Sequence, residues 1–106
     1  SVPMWNFSIP YRIKNFIDIV TQPHITFEVT DAGYAGLLKN KKACVVFSSG
    51  GTYDAPETAP YDHCRPYFKG FLSFIGITDI QIIDIPGTMY GADVDLLIKN
   101  AIKDIF

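Results

Sequence analysis

Residues 42–51 read Lys-Ala-Cys-Val-Val-Phe-Ser-Ser-Gly-Gly, so that the apolar run Ala43–Phe47 leads directly into the polar stretch Ser48–Gly51. An uninterrupted apolar run of this length is typical of a parallel-sheet strand that is covered on both faces. A second run, the isoleucine-rich Ile77–Ile85, predicts another buried strand, which ends at the turn-forming Pro86–Gly87. Together the two runs indicate a parallel sheet.

Three segments have the apolar spacing of amphipathic helices. The first helix is predicted over Pro10–Val20, with Ser8 as its N-cap. The second is predicted over Tyr61–Ile75 and ends at Gly76, because glycine favours helix termination. The third begins after Asp93, its predicted cap, and continues towards the end of the chain.

The segments between these helices indicate a short strand, a turn and a loop. Thr26–Thr30 alternates polar with apolar residues, which predicts a short strand at an edge, followed by a turn at Asp31–Gly33. Thr52–Pro60 contains several turn-forming residues and predicts a loop. The alternation of strands and helices indicates an α/β fold with a parallel sheet. Five βα units of roughly 30 residues each need about 150 residues, so the chain is short for such a fold.

The composition is that of a globular protein and argues against several function classes. The chain has 106 residues, of which 48% are apolar and 19% charged, and its formal net charge is −2. No basic run extends beyond Lys39–Lys42, so nothing supplies the positive field that nucleic acids require. No apolar run approaches the roughly 20 residues of a membrane span, and the first residues lack the basic region of a signal peptide. We therefore expect a cytoplasmic protein that neither binds nucleic acid nor spans a membrane.

The cysteines and histidines form no pattern that indicates a metal site or a nucleophile. Cys44 and Cys64 have no CxxC spacing and fit no disulfide framework, so we expect two buried thiols in a reducing compartment. His24 and His63 lack the partners that a zinc site requires. No order of Ser, His and Asp residues suggests an acyl-transfer triad. The sequence therefore predicts neither a metal site nor a catalytic side chain.

A set of separated motifs resembles one enzyme family. The motif Pro-Met-Trp-Asn-Phe (Pro3–Phe7), followed by Ile9–Pro10 and Ile13–Asp18, is similar to the flavin-binding segment of FMN-dependent NADH-azoreductases and their quinone-reductase relatives. The similarity continues in order through Thr26–Phe27, Gly36–Leu38, Lys41–Ala43, Ser48–Gly51 and Phe71–Asp79. The resemblance thus covers most of the chain.

The resemblance implies a flavodoxin-like fold with a three-layer parallel sheet. Residues 1–106 would be a partial domain, the carboxyl-terminal half of that fold, without the Ser-rich loop that holds the FMN phosphate in the family. The implied cofactor is FMN, with NADH or NADPH as the reductant and a quinone or azo compound as the acceptor. The implied activity is two-electron hydride transfer through FMN in a homodimer that has FMN at its interface.

Two loops carry the predicted cofactor site. Trp5–Phe7 and Ser48–Gly51 each follow a strand, and ligands of open α/β sheets bind at the carboxyl ends of parallel strands. Gly50 and Gly51 have no Cβ, so their amides can approach a flat ring closely. The resemblance implies that Met4–Phe7 hold the centre of the flavin ring. The predicted cofactor-binding residues are Pro3, Met4, Trp5, Asn6, Phe7, Ser48, Ser49, Gly50 and Gly51.

Three aromatic residues are candidates for the wall of the substrate pocket, namely Phe27, Phe74 and Tyr53. Phe27 and Phe74 are included because, in the family, aromatic residues of the partner subunit close over the flavin. An ordinary core role for the aromatic residues of the second helix stays open beside this interpretation. No catalytic acid or base is predicted, because the flavin carries the chemistry in such enzymes.

The sequence departs from the family pattern at three places. Gln22–His24 stands where many members have an arginine followed by a glycine, Ser49 where many have an arginine, and Tyr53 where some have a histidine. These changes leave the nicotinamide preference and the electron acceptor open. The alternative function is a non-catalytic flavodoxin-like electron carrier or a truncated interaction module without tight FMN binding, and the lack of the phosphate loop favours it.

Overall fold

The computed structural model describes residues 1–103 and 105, and they form an α/β fold around a parallel sheet. The strands and helices, in chain order, are β1 (Val2–Pro3), α1 (Tyr11–Val20), β2 (Phe27–Thr30), β3 (Gly33–Gly36), β4 (Lys42–Ser48), α2 (Arg65–Phe74), β5 (Asp79–Ile85) and α3 (Val94–Ile102). A short 3₁₀ turn, Ala59–Tyr61, precedes α2. No helix within the described residues combines the length and the apolar character that crossing a bilayer requires.

The main sheet, as far as the structure describes the chain, has three parallel strands in the order β1-β4-β5. Val2 of β1 pairs with Phe47 of β4, and Val45 of β4 pairs with Ile82 of β5. Helix α2 connects β4 to β5, as parallel neighbours require a crossover connection. The predicted α/β fold with a parallel sheet is confirmed.

The core lies on one face of β4. Val45 and Phe47 point into it and pack with Ile17 of α1 and with Phe71 and Leu72 of α2. Each such buried side chain stabilises the fold by about 1.5–3 kcal/mol relative to an exposed one. The opposite face of β4 contributes no buried residue, so the prediction that this strand is covered on both faces is wrong. Helices α1 and α2 pack on the core face, while on the other, more open face of β4 Cys44 is exposed and Val46 is half-buried.

The prediction of a second buried strand over Ile77–Ile85 is also wrong in its burial. Strand β5 has no buried residue, and Ile82 is 37% exposed. Within the described residues β5 pairs only with β4, and α3, which contacts it, has no buried residue of its own. An isoleucine-rich composition therefore predicts the strand but not its position at a sheet edge.

The short strand predicted at Thr26–Thr30 is confirmed as β2, and it lies outside the main sheet. It forms an antiparallel hairpin with β3, in which Phe27 pairs with Gly36. Strand β3 was not expected from its residues, Gly-Tyr-Ala-Gly, because glycine and alanine are depleted in strands.

The predicted helix ends are partly right. Asp93 caps α3 by accepting a hydrogen bond from the Leu96 amide at 3.0 Å, and Gly76 ends α2 with a φ of 103°. The prediction that Ser8 caps the first helix is wrong, because Ser8 belongs to the preceding turn and Pro10 occupies the N-cap position. The second helix begins at Arg65 rather than Tyr61, because Tyr61 ends the 3₁₀ turn and residues 62–64 connect that turn to the helix.

The two cysteines differ in their surroundings. Cys64 is 1% exposed, whereas Cys44 is exposed on the open face of β4, so the prediction of a buried thiol is right for Cys64 and wrong for Cys44. Burial, reinforced by the negative charge of Asp62, raises the pKa of the Cys64 thiol to about 11. Because the thiolate is the nucleophile, Cys64 is protected both by its pKa and by its burial.

We expect one fast-reacting thiol in the native chain when it is treated with a disulfide reagent such as DTNB near pH 8, a condition close to the ordinary thiol pKa. Cys44→Ser removes the fast phase, and Cys64→Ser retains it. Denaturation makes both thiols of the unsubstituted chain reactive. Two fast thiols in the folded chain would contradict the burial of Cys64.

Gly36 and Gly76 bring the hairpin close to the end of α2. A Cβ at Gly36 would overlap the Gly76 amide nitrogen, which belongs to the backbone and cannot turn aside as a flexible side chain could. The Leu38 amide also donates to the Ile75 carbonyl at 3.0 Å, so the two segments are joined directly. This position therefore excludes any side chain.

Gly36→Ala is expected to lower the free energy of unfolding by about 1–3 kcal/mol, because the added methyl group forces the backbone segments apart. Gly70→Ala is the matched control, since a Cβ there has no atom within 4 Å and alanine favours a helix. Urea denaturation followed by circular dichroism measures both. Equal stability of Gly36→Ala and the unsubstituted chain would show that the close approach is absent.

Candidate functional site

The two predicted loops meet at the carboxyl ends of β1 and β4. The Met4 amide, just after β1, donates to the Ser48 carbonyl at the end of β4 at 2.8 Å. The Ser49 amide in turn donates to the Ile85 carbonyl at the end of β5 at 3.2 Å. The carboxyl edge of a parallel sheet is where ligands of such folds bind, and both loops lie there.

Residues Trp5–Ser8 form a tight turn closed by two backbone hydrogen bonds. The Trp5 amide donates to the Ser8 carbonyl at 2.9 Å, and the Ser8 amide donates to the Trp5 carbonyl at 3.1 Å. Asn6 and Phe7 have φ angles of 50° and 67°, as in a type I′ turn. The left-handed conformation costs a residue such as Phe7 roughly 1–2 kcal/mol. The turn leaves Trp5 and Phe7 55% and 48% exposed.

The Ser49–Gly51 loop is held by its carbonyl groups. The Ser49, Gly50 and Gly51 carbonyls accept hydrogen bonds from the amides of Thr88, Met89 and Gly87 at 3.1, 3.2 and 3.1 Å. In the part of the chain that the structure describes, the Gly50 and Gly51 amides have no hydrogen-bond acceptor. The loop therefore presents two backbone donors and no side chain at these two positions.

Ser49 is engaged within the chain. It is 4% exposed, its hydroxyl donates to the Gly51 carbonyl at 2.9 Å, and the hydroxyl accepts from an Arg65 Nη at 3.1 Å. Ser48 ends β4, where its carbonyl accepts from Met4. The buried Ser49 hydroxyl thus holds the loop through hydrogen bonds within the chain.

An aromatic cavity lies beside both loops. Its volume is about 390 Å³, and its lining includes Phe7, Gly51, Tyr53, Tyr61 and Tyr90. The Phe7 ring is 5.5 Å from that of Tyr61 and 6.4 Å, edge to face, from that of Tyr53. Aromatic rings therefore line the same space as Gly51, whose amide has no acceptor among the described residues, and this combination suits a flat heteroaromatic ligand.

The structure places Phe27 and Phe74 elsewhere in the molecule. Their rings are 4.9 Å apart and form a second aromatic group with Tyr34. Phe74 ends α2, whereas Arg65 at the start of α2 contacts the Ser49 loop, so the two ends are about 14 Å apart along the helix axis. Of the three predicted wall residues, Tyr53 alone lines the aromatic cavity of its own chain.

Arg65 connects the site loops to the sheet, and the sequence patterns did not reveal it. Its guanidinium donates to Asp84 at 2.6 Å and 3.0 Å through Nη and Nε, and to Asp62 at 3.2 Å. Burial disfavours the charge, but the hydrogen bonds and charges of Asp84 and Asp62 outweigh it and raise the pKa of Arg65. The one sequence signal was Asp84, a carboxylate within an isoleucine-rich strand.

Several known proteins are similar to this chain over most of its length. A family profile described as flavodoxin-like fold matches residues 1–105. The FMN-dependent NADH:quinone oxidoreductase 9 of Burkholderia lata is 41% identical over 96 residues, which cover 87% of this chain and 46% of that protein. The FMN-dependent NADH:quinone oxidoreductase of Caldicellulosiruptor saccharolyticus is 38% identical over 105 residues, which cover 98% of this chain and 52% of that protein.

Among solved structures, an FMN-dependent NADH-azoreductase from Bacillus anthracis in complex with FMN superposes with a TM-score of 0.86 at 32% sequence identity. The match covers 97% of this chain and 49% of that one. The chain thus spans about half the length of the relatives it matches. The predicted resemblance is confirmed: the chain belongs to the flavodoxin-like fold family.

Proposed function

We propose that the two loops form the ring-binding part of an FMN site in an NAD(P)H oxidoreductase of the azoreductase and quinone-reductase type. The observation that carries this proposal is that Gly51, whose amide has no acceptor among the described residues, lines an aromatic cavity, and that the neighbouring Gly50 amide likewise has no acceptor there. A flavin ring has carbonyl and nitrogen acceptors along one edge of a flat surface. Backbone donors next to aromatic rings are suited to that combination.

Each loop has a distinct part in the proposed site. Met4–Phe7 would supply an apolar wall, with Pro3 and the strand pairing of β1 fixing the start of the loop. Gly50 and Gly51 would direct their amides at the acceptor edge of the ring, while Ser48 and Ser49 hold that loop in register. When bound, FMN supplies two-electron chemistry between NADH or NADPH and a quinone or azo compound. The residues of this chain bind and orient, and none is proposed as a catalytic acid or base.

We also propose that the functional unit is a homodimer. A groove of about 390 Å³ runs between α1 and α2, and its lining includes Ile17, Tyr67, Phe71 and Phe74. Ile17 and Phe71 are buried at its floor, whereas Tyr67 is 41% exposed and Phe74 is half-buried, so a second copy seated there would cover these two rings. Phe74 and its neighbour Phe27 would then contribute to the ring site of that second copy, which is the role proposed for them as wall residues.

The domain and its location complete the proposal. The chain is proposed to be the carboxyl-terminal half of an azoreductase-like unit, because it spans about half the length of its relatives. A cytoplasmic location is proposed, since Cys44 and Cys64 are free thiols and one of them is exposed. The alternative function is an electron carrier or interaction module without tight FMN binding.

FMN titration tests the proposed ring site through Trp5, which is the chain's one tryptophan and lies in the first loop. We expect FMN to quench its fluorescence. Gly51→Ala is expected to weaken binding roughly tenfold, since a methyl group blocks the approach to the amide. The fold tolerates that methyl group, because its nearest atom would be 3.5 Å away. Gly70→Ala, which is as well tolerated and far from the loops, is expected to bind like the unsubstituted chain.

Two outcomes would decide against the oxidoreductase proposal for this chain. If the folded chain leaves Trp5 fluorescence unchanged and FMN free at all accessible concentrations, it has no ring site. If FMN binds but NADH and NADPH fail to bleach its visible absorbance under anaerobic conditions, the electron carrier is the correct alternative. Bleaching followed by recovery on addition of a quinone supports the enzyme.

The homodimer is tested by measuring molar mass in solution with light scattering after gel filtration. We expect a mass near twice the monomer's 11.8 kDa. Tyr67→Asp is expected to give monomers, because a carboxylate in the groove would be desolvated without a partner. Ile25→Asp, at an exposed apolar residue outside the groove, is the control and stays dimeric. A monomeric unsubstituted chain would rule out the groove as a self-association surface for this chain.

A further inference from the structure

Arg65 makes more polar contacts than its place at the start of α2 requires. Its guanidinium reaches Asp84 on β5, Asp62 before α2 and the Ser49 hydroxyl after β4. These partners belong to three separate segments that converge at the carboxyl edge of the sheet. The side chains of Arg65 and Asp62 are 16% and 10% exposed, so their ion pair is largely shielded from water, whereas the Asp84 side chain is 40% exposed.

The guanidinium also lies against two aromatic rings. Its Cζ atom is 5.6 Å from the ring centre of Phe47 in the core and 6.0 Å from that of Tyr53. Both distances are within the range of a cation–π interaction. Tyr53 in turn contacts Phe7 edge to face. Arg65 is thus joined to the second loop by a hydrogen bond and to the first through two rings.

We propose that Arg65 is a positioning residue for the ring site: it holds Ser49 and Tyr53 in place and thereby sets the spacing of the two loops. The inference rests on the proposed function only where it concerns FMN. Ser49 bonds to the Gly51 carbonyl, so a shift of its hydroxyl moves the loop that carries both free amides. Arg65 contacts the loop through the buried Ser49 hydroxyl, and we assign it no contact with the ligand.

A lysine cannot take over this role. The guanidinium is planar and uses Nε and both Nη atoms in fixed directions towards Asp84, Asp62 and Ser49. An ammonium group is a single point with a strong preference for water, so it satisfies one or two of these partners and leaves the others unpaired. A positive charge alone is therefore insufficient to hold all three partners. Arg65→Lys keeps the charge and removes the planar geometry, so it tests the geometry separately.

Lys42 and Asp79 provide a matched control at the opposite end of the same two strands. Lys42 pairs with Asp79 across β4 and β5 at 3.2 Å, just as Arg65 pairs with Asp84 at the carboxyl ends. Both side chains of the control pair are exposed, at 83% and 64%, and they lie at the amino ends of the strands, whereas the loops lie at the carboxyl ends. Lys42→Met thus removes an ion pair to the same strand without touching either loop.

Amide hydrogen exchange tests the positioning role without FMN. We expect Arg65→Lys to accelerate exchange roughly tenfold or more at Gly87, Thr88 and Met89, whose amides donate to the loop carbonyls. Amides of the β4–β5 ladder are expected to keep their protection in Arg65→Lys. Lys42→Met is expected to leave all of these rates unchanged. Uniform acceleration across the sheet, or no change at residues 87–89, would overturn the proposal.

FMN affinity, measured by Trp5 fluorescence, tests whether the positioning role of Arg65 affects FMN binding. Arg65→Lys and Ser49→Ala are each expected to weaken binding roughly tenfold, and the double variant to be no weaker than either. Fully additive losses would show that Arg65 does not act through Ser49. If FMN does not bind the unsubstituted chain, the proposed function fails while the exchange result still decides on Arg65. If Arg65→Lys does not fold, Ser49→Ala carries the exchange measurement, because it keeps both ion pairs.

Discussion

Strand β4 has a parallel neighbour on each side, and this double pairing determines where every part of the candidate site lies. Because β1 and β4 run in the same direction, the turn after Val2–Pro3 and the loop after Ser48 emerge at one edge. Because β5 is also parallel, Asp84 and the residues 87–89 arrive at that same edge. The direction of the strands, rather than any single side chain, therefore determines where the site lies.

Local patterns were enough for features that depend on a few neighbouring residues. The run Ala43–Phe47 predicted β4, Gly76 predicted a helix end, and Asp93 predicted a cap, since each works through backbone within one turn or strand. The family motifs predicted the two loops. The prediction that Ser8 caps the first helix was wrong because Ser8 is hydrogen-bonded to Trp5 in a turn. The spacing of apolar residues along a helix gives no information about such a turn.

The errors share a different physical cause, which is tertiary position. Cys44 and Ile82 belong to apolar runs, but one faces the open side of β4 and the other lies on an edge strand. The periodicity of a sequence shows which residues are apolar, but it does not show whether another layer of the fold covers them. Arg65 was missed for the same reason, because its partner Asp84 is 19 residues away and only the crossover through α2 brings the two together.

The hydrogen bonds of the Ser49–Gly51 loop decide what kind of ligand the site accepts. All three carbonyls are taken by residues 87–89, whereas the amides of Gly50 and Gly51 are unpaired in the described structure. A desolvated amide without a partner costs about 1–3 kcal/mol, so a ligand that covers this loop must bring acceptors of its own. The facing wall, held by the strained turn at Phe7, offers rings rather than charges. Acceptors along one edge and a flat apolar face are together the properties of a planar heterocycle, and a ligand with only one of them would leave half of the site unsatisfied.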